Sequence, residues 1–254
     1  MNADCTILVT SCDAYRDVER PFLVLFRRYW PDCPFELVVN GETSAESGFD
    51  RAVLSGKGKS WSEMLVEALD QIATPYVILL MNDYCLCDTV DTETVLGFVA
   101  AAKAERALSV RMVPEPAGRG PVRSVGNVRL QEFPKNTAYA VSCKATVWDR
   151  DFLRALAAKT KSAWEFERRG SFRFESGETR PLLVSPTRAF PFLDVVHKGY
   201  WEPYGVALLK REKIEYDFSR RGRAPLTLRL KEWVKGKIFH LAPDFVTRLQ
   251  NRFQ

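Results

Sequence analysis

Three short apolar runs in the first third of the chain have the character of buried β-strands. They are Cys5–Thr10, Phe35–Asn40 and Thr74–Met81. Apolar residues follow one another in these runs instead of alternating with polar ones, as expected of strands that are covered on both faces. The pattern therefore predicts three strands of a parallel sheet.

Two segments between these strands place apolar residues at helical spacing. Val18–Trp30 is followed by Pro31, which suits a helix end. Ser60–Ile72 begins with two candidate N-cap residues, Ser60 and Ser62. The strand–helix–strand–helix–strand order predicts an α/β fold with a mostly parallel, Rossmann-like central sheet and helices on both faces.

The pattern is less regular after residue 90. We expect a helix, a strand, a projecting Pro/Gly/Arg loop, a strand, a helix, a Glu/Arg-rich segment and two regions of short strands. These elements correspond, in order, to Asp91–Glu105, Ala107–Val113, Glu115–Asn127, Thr137–Trp148, Asp149–Lys159, Ser162–Phe172, Arg180–Pro186 and Phe190–Trp201. A chain of 254 residues is long enough for one large α/β domain, which we assign to residues 1–218.

Positive charge is concentrated in the remaining residues, 219–254. They carry nine Lys or Arg against two acidic residues, whereas the whole chain has a net charge of +5. Because Leu, Trp, Ile and Phe are interleaved with the basic residues, we predict a basic amphipathic helical tail. It would contact an anionic membrane surface peripherally, or else pack on the body or form a homodimer contact. Nucleic-acid binding is not expected, because no recognised module accompanies the charge.

The composition is typical of a cytoplasmic globular protein. No apolar run approaches the roughly 20 residues that span a bilayer, and the N-terminus does not resemble a signal peptide. We therefore expect a cytoplasmic protein, at most peripheral at the inner face of the membrane. The six cysteines form no C-x-x-C pair, and only two histidines are present, so a zinc site is not favoured.

Polar loops follow each predicted strand. Ser11–Asp17, Asn40–Glu42 and Asn82–Asp88 would open on one edge, because the carboxyl ends of parallel strands lie together. Asp13 there could bond a ribose hydroxyl or a base edge. Lys59 could reach phosphate, although its "GKGKS" string lacks the spacing of a P-loop. The sequence thus predicts a ligand site at this edge.

Asp83 is the first candidate for chemistry at the site. It follows a buried strand, where a carboxylate could hold a divalent cation on a diphosphate. The alternative is that Asn82 and Asp83 only begin a turn, since both residue types favour turns. Asp88 and Asp91 are expected to serve as a turn residue and a helix cap rather than as ligands.

Two stretches extend this interpretation to a family. "SWSEMLVEALDQIATPYVILLMNDYCL" together with "AWEFERRGS" resembles a bacterial group of GT-A-type nucleotide-sugar glycosyltransferases found in capsule and lipopolysaccharide gene sets. The resemblance covers about residues 5–201. It implies a GT-A-like domain, a nucleoside-diphosphate sugar donor, a glycan or lipid-linked glycan acceptor, and Mg²⁺ or Mn²⁺. The chain departs from the family's D-x-D motif, because in Asn82-Asp83-Tyr84-Cys85 only Asp83 matches.

The resemblance also suggests roles for individual residues. Asp83 and His197 would hold the metal, with Asp194 a weaker candidate, and Ser11, Asp13, Lys59, Asn82 and Lys198 would contact the donor. Glu165 is our first candidate for the base that deprotonates an acceptor hydroxyl, with Glu167 in reserve, since only one of them can face the pocket. Trp164 would stack on a sugar; in the alternative, the glutamates lie on a solvated helix end and Trp164 lies in the core. His240, in the tail, has no supporting pattern.

Two other functions are compatible with the predicted fold. A sugar nucleotidyltransferase would have a glycine-rich basic motif soon after the first strand, and "TSCDAYRDVER" contains no glycine. A non-catalytic sugar- or lipid-binding module would bind neither metal nor nucleotide.

Overall fold

The computed structural model describes residues 2–134, 137–171, 178–217 and 219–227. The strands in this part of the chain are β1 Cys5–Thr10, β2 Glu36–Gly41, β3 Arg51–Leu54, β4 Tyr76–Met81, β5 Tyr84–Leu86, β6 Ser109–Arg111, β7 Arg119–Val125, β8 Val128–Glu132, β9 Thr146–Asp149, β10 Leu182–Val184, β11 Phe192–Asp194, β12 Val196–His197 and β13 Tyr200–Trp201. The α-helices are α1 Arg16–Tyr29, α2 Trp61–Asp70, α3 Thr92–Ala104, α4 Arg150–Ala157, α5 Ala163–Gly170 and α6 Pro203–Arg211.

Nine of the described strands form one central sheet, in the order β3-β2-β1-β4-β9-β6-β10-β8-β7. The pairs β2–β3, β1–β2, β1–β4 and β6–β10 are parallel, whereas β9 and β8 run antiparallel to their neighbours. All of these strands except β8 and β9 therefore point the same way. The predicted α/β fold with a mostly parallel sheet is confirmed.

Helices cover both faces of the sheet. Along β4, Ile78 packs in one core cluster with residues of α1 and α3, and its neighbour Leu79 packs in a second cluster with residues of α2, α4 and α5. Because successive strand residues point to opposite faces, a strand buried on both sides must be apolar at every position. This is the physical reason for the uninterrupted apolar runs in the sequence.

Helix ends in the first half agree closely with the sequence. Ser60 is the N-cap of α2: its hydroxyl accepts a bond from the Glu63 amide at 3.3 Å, and the Glu63 carboxylate accepts one from the Ser60 amide at 2.7 Å. This reciprocal capping box decides between Ser60 and Ser62. Asp91 caps α3 through the Glu93 amide, and the Asp88 carboxylate accepts a bond from the Thr89 amide, as expected.

The structure corrects three expectations for the second half. The segment expected as a projecting loop forms most of the β7–β8 hairpin at one edge of the sheet. Of the predicted strand Thr137–Trp148, only the last residues belong to a strand, β9, and the preceding ones form turns. The helix α6 was not anticipated, because its Pro203 and Gly205 resemble turn residues.

Among the residues that the structure describes, no helix combines the length and apolarity needed to cross a bilayer. The six cysteines are all free thiols, and Cys5, Cys85 and Cys143 are buried, as expected of small apolar side chains. Most of the basic tail, including His240, lies outside the described residues.

Candidate functional site

The carboxyl ends of β1, β2 and β4 meet at one edge of the sheet. Thr10 at the end of β1 pairs with Asn40 on β2 and with Met81 on β4. The Ser11 amide then donates to the Asn40 carbonyl at 3.0 Å, and the Asn82 amide donates to the Thr10 carbonyl at 3.1 Å. The three loops therefore converge, as the parallel strands predict.

A buried polar network made of Ser11, Glu19 and Asn82 underlies this edge. The Ser11 hydroxyl donates to Glu19 Oε1 at 2.5 Å and accepts from Asn82 Nδ2 at 2.9 Å. Asn82 Nδ2 also donates to the Tyr15 carbonyl at 2.9 Å, and Glu19 Oε2 accepts from the Glu46 amide at 2.7 Å. Ser11 and Asn82 were both predicted to contact the sugar donor. In the structure, their side-chain hydrogen bonds instead join the ends of β1 and β4 to α1 and the turn before it.

Asp13 and Lys59 lie toward the outside of the edge. The exposed Asp13 carboxylate accepts bonds from the Thr43 hydroxyl at 2.8 Å and the Thr43 amide at 3.1 Å, and these bonds lower the pKa of Asp13. This arrangement ties the loop after β1 to the loop after β2. Lys59 forms an ion pair with Glu67 of α2.

Asp83 lies directly beyond β4, beside the β5–β11 strand pair. Its carbonyl accepts a bond from the Val195 amide at 2.9 Å, and the next residue, Tyr84, pairs with Asp194 across the strands. Among the described residues, the buried Asp83 Oδ1 has no hydrogen-bond partner. Burial, reinforced by the negative charge of Asp194, raises the pKa of Asp83 to about 8.

Asp194 is the second member of this pair, and we call Asp83 and Asp194 the acidic pair. Asp194 lies at the protein surface, but protein atoms surround much of its carboxyl group. Desolvation by the surrounding protein raises its pKa, an effect that Lys144 and His197 oppose. The surroundings therefore disfavour the ionised form of both carboxyl groups, and a cation bound nearby would stabilise that form.

A tight turn projects beside the acidic pair. The strands β12 and β13 pair His197 with Tyr200, and the two residues between them have positive φ, 51° for Lys198 and 82° for Gly199. The Lys198 ammonium lies 5.9 Å from the ring centroid of Trp164, which is 54% exposed. Trp164 is therefore not a core residue, and the predicted metal, donor and stacking residues His197, Lys198 and Trp164 lie around one turn.

The two glutamates of α5 have different surroundings. The Glu165 carboxylate accepts a bond from the Lys161 amide at 3.0 Å and pairs with Arg169 at 3.2 Å, so it stabilises the first turn of the helix. Glu167 Oε1 accepts from the Ser142 hydroxyl at 2.8 Å and the Cys143 amide at 2.9 Å.

Glu167 and Asp83 act on the same buried groups. Both carboxylates raise the pKa of Tyr84 and of Cys143. The Glu167 carboxylate contacts the segment before β9, whereas the oxygens of Glu165 are bonded at the ends of its own helix.

Sequence patterns did not single out Tyr15 or Arg221. The buried Arg221 forms a bidentate pair with Asp17, with one contact at 2.7 Å and the other at 2.8 Å, and its guanidinium lies 4.2 Å from the Tyr15 ring centroid. Its charge lowers the pKa of Asp83, and the charge of Asp83 in turn helps to raise the pKa of Tyr15. In the sequence, Arg221 is only one of many basic residues, so the charge pattern alone could not identify it.

The donor set at the acidic pair fits a hard divalent cation. No group of three or more His, Cys, Asp or Glu side chains in the described part of the chain is arranged to enclose a metal. Mg²⁺ bound to a diphosphate, however, commonly takes only one or two protein carboxylates and fills its other positions with phosphate and water. Asp83 Oδ1, which has no hydrogen-bond partner in the described part of the chain, and the neighbouring Asp194 carboxylate match that requirement.

No protein-family model matches the chain, and no curated protein sequence matches it. Among solved structures, it is similar to the mannosyltransferase PcManGT from Pyrobaculum calidifontis in complex with GDP-Man and Mn²⁺, with 14% identity, a TM-score of 0.48, and coverage of 99% of this chain and 74% of that one. It is similar to S. aureus TarS 1–349 in complex with UDP-GlcNAc, with 14% identity and a TM-score of 0.45.

That second match covers 74% of this chain and 57% of the TarS fragment. A third similar structure is 2-C-methyl-D-erythritol 4-phosphate cytidylyltransferase from Thermus thermophilus, with 16% identity, a TM-score of 0.44, and coverage of 82% of this chain and 98% of that one. At such identities and TM-scores, these likenesses assign neither a family nor an activity to the chain.

Proposed function

We propose that this protein is a glycosyltransferase that moves a sugar from a nucleoside-diphosphate donor to a hydroxyl acceptor. The observation that supports this most directly is the buried Asp83 Oδ1, which has no hydrogen-bond partner among the described residues and lies beside Asp194 at the carboxyl edge of a mostly parallel sheet. Ligands bind at such edges in open α/β folds. A buried carboxyl without a hydrogen-bond partner is costly, which is understandable at a site that binds a cation.

Asp83 would hold Mg²⁺ or Mn²⁺, with His197 near the same position. When bound, the metal would neutralise charge on the diphosphate leaving group. Lys198 would contribute a second positive charge toward the diphosphate. Asp13, near the loops after β1 and β2, would contact the nucleoside, while Ser11 and Asn82 would support the donor edge from below. Lys59 would approach the phosphates.

Glu167 is the better candidate for the base. A general base needs a carboxylate near the reacting groups, and Glu167 shares its surroundings with Asp83 while Glu165 caps the helix. Glu167 would remove the proton from the acceptor hydroxyl as the hydroxyl attacks the anomeric carbon, and the nucleoside diphosphate would leave with the bonding electrons. Direct attack of this kind inverts the anomeric configuration.

Trp164 would bind the acceptor. Its exposed indole offers an apolar face that suits the C–H surface of a sugar ring, and it lies beside Lys198 at the site. We extend the proposal to a glycan or lipid-linked glycan acceptor in surface polysaccharide synthesis, with peripheral membrane contact through the tail. The charge of residues 219–254 supports this extension.

The test is thermal unfolding with UDP, GDP, CDP and dTDP, each with and without Mn²⁺. A ligand at 100 times its dissociation constant adds about 2.7 kcal/mol to stability. The nucleotide that stabilises the protein selects a panel of nucleotide sugars, and release of the free nucleotide is then measured with each. We expect one nucleotide to stabilise the protein and its sugar derivatives to be turned over.

Two results would redirect the assignment. Stabilisation by a nucleoside triphosphate with release of pyrophosphate would indicate a nucleotidyltransferase. Absence of stabilisation by every nucleotide would contradict the proposal and favour a non-catalytic sugar- or lipid-binding module.

A further inference from the structure

The local sequence after β4 offers only one carboxylate. A metal ligand pair from one strand would need a second acidic residue near Asp83, and the neighbouring positions are Asn82, Tyr84 and Cys85. Asn82 carries no carboxylate, and its Nδ2 donates to the Ser11 hydroxyl and the Tyr15 carbonyl. Tyr84 stacks on Phe192 with ring centroids 4.5 Å apart.

A second carboxylate reaches this position from a distant part of the chain. The antiparallel pairing of β5 and β11 sets Asp194 opposite Tyr84, one residue from Asp83, and the bond from the Val195 amide to the Asp83 carbonyl holds the two segments together. The Oδ1 of Asp83 is buried, while Asp194 lies at the protein surface. The pair therefore combines a buried carboxyl oxygen with a carboxylate on a residue at the protein surface.

The basic residues near Asp194, Lys144 and Arg188, form their ion pairs with another carboxylate. Glu115 forms ion pairs with both Lys144 and Arg188, and the Arg188 guanidinium lies 5.6 Å from the ring centroid of Phe192, a residue of β11. These cations lie near Asp194, but their paired carboxylate is Glu115. Asp194 thus lies near two cations that are paired with Glu115, and beside Asp83, whose Oδ1 has no partner in the described chain.

We propose that Asp194 is the second carboxylate ligand of the divalent cation, supplied across the β5–β11 pair in place of the acidic residue that the strand end after β4 lacks. This inference rests on the proposed function for the identity of the ligand, a nucleoside diphosphate with its cation. It makes the site a composite of residues more than a hundred positions apart, with one carboxylate from the turn between β4 and β5 and one from the end of β11.

The experiment measures Mn²⁺ binding to the full chain, using the electron paramagnetic resonance signal of free Mn²⁺, alone and with each of the four nucleoside diphosphates. The variants are Asp194→Asn, Asp83→Asn and a matched control, Asp88→Asn, whose exposed carboxylate serves only a nearby turn. We expect Asp194→Asn to weaken Mn²⁺ binding at least about 10-fold, the loss that even indirect partners of metal ligands produce. Asp83→Asn should bind still more weakly, and Asp88→Asn should match the unsubstituted protein.

A thermal melt of each variant in metal-free buffer separates ligand loss from misfolding. Asp194→Asn keeps the size of the side chain and removes a carboxyl whose ionisation burial disfavours, so it should melt close to the unsubstituted protein. Unchanged Mn²⁺ affinity in Asp194→Asn would overturn the inference while leaving the glycosyltransferase proposal intact. So would nucleotide binding by the unsubstituted protein without any Mn²⁺ binding. Failure to bind any nucleotide, with or without Mn²⁺, would overturn both.

Discussion

The polar network and the acidic pair lie at the same edge of the sheet but have opposite chemistry. In the polar network, Ser11, Glu19 and Asn82 bond one another and nearby backbone groups. In the acidic pair, one buried oxygen has no partner within the described chain, and the charge of Asp194 adds to the cost of ionising Asp83. A satisfied network holds loops together, whereas an unsatisfied pair has capacity left for a ligand.

The largest expected effect comes from removing the charge of the acidic pair. Asp83→Asn should lower nucleotide-sugar turnover by about 1,000-fold, because loss of metal-assisted charge stabilisation costs several kcal/mol. Turnover is measured as release of free nucleotide at saturating donor and Mn²⁺. If Asp83→Asn retained more than a tenth of the activity, the acidic pair would not be the catalytic part of the edge.

Glu167 and Glu165 provide a matched pair on one helix. Glu167→Gln should lower kcat by about 100-fold with little change in donor affinity, as expected for loss of a general base. Glu165→Gln should retain kcat and lower the melting temperature slightly, because it weakens the first turn of α5. If Glu165→Gln lost kcat and Glu167→Gln retained it, the general base would be Glu165.

A substitution in the polar network should lower the stability of the folded protein. Asn82→Ala removes the donor to the Ser11 hydroxyl and to the Tyr15 carbonyl, so buried acceptors lose a partner. We expect the free energy of unfolding in urea to fall by about 2 kcal/mol. The comparison would fail if Asn82→Ala were as stable as the unsubstituted protein.

The smallest expected effect is a change of stability with pH. Unlike Asn82→Ala, Asp83→Asn should make the folded protein more stable as pH rises. The pKa of Asp83 is about 8 in the folded protein and about 3.9 when unfolded, so the folded state holds more protons between these values. Stability from this group is therefore lost as pH rises from 4 to 8. In metal-free buffer, Asp83→Asn should match the unsubstituted protein near pH 4 and exceed it by about 1 kcal/mol or more at pH 8. Urea unfolding across this range checks the sign.

Sequence alone predicted the elements whose partners lie nearby along the chain. The apolar strands β1, β2 and β4, an N-cap at Ser60 or Ser62 and the cap at Asp91 depend on local composition and spacing, and the structure selects Ser60. The convergence of polar loops followed from the parallel order of these strands. The β7–β8 hairpin could not be predicted in this way, because its Gly, Pro and Arg residues favour loops locally and become a strand only by pairing at the sheet edge.

The candidate site shows the same division. Asp83 was predicted from its place after a buried strand. The pairing of Asp194 with Tyr84 depends on a contact between distant strands, and no local pattern contains it. Likewise, the spacing of Glu165 and Glu167 showed that only one could face the site, but the choice depends on Ser142 and Cys143, more than twenty residues away.

The contact between Arg221 and Asp17 has a consequence for synthesis of the protein. The two residues are 204 positions apart, and Arg221 also covers Tyr15 next to Asp83. A ribosome makes β1 and the first loop early, but that loop gains its arginine only after residue 221 leaves the exit tunnel. The nascent chain can therefore assemble most of its sheet while the candidate site still lacks Arg221, so the site is completed after the sheet strands that position it.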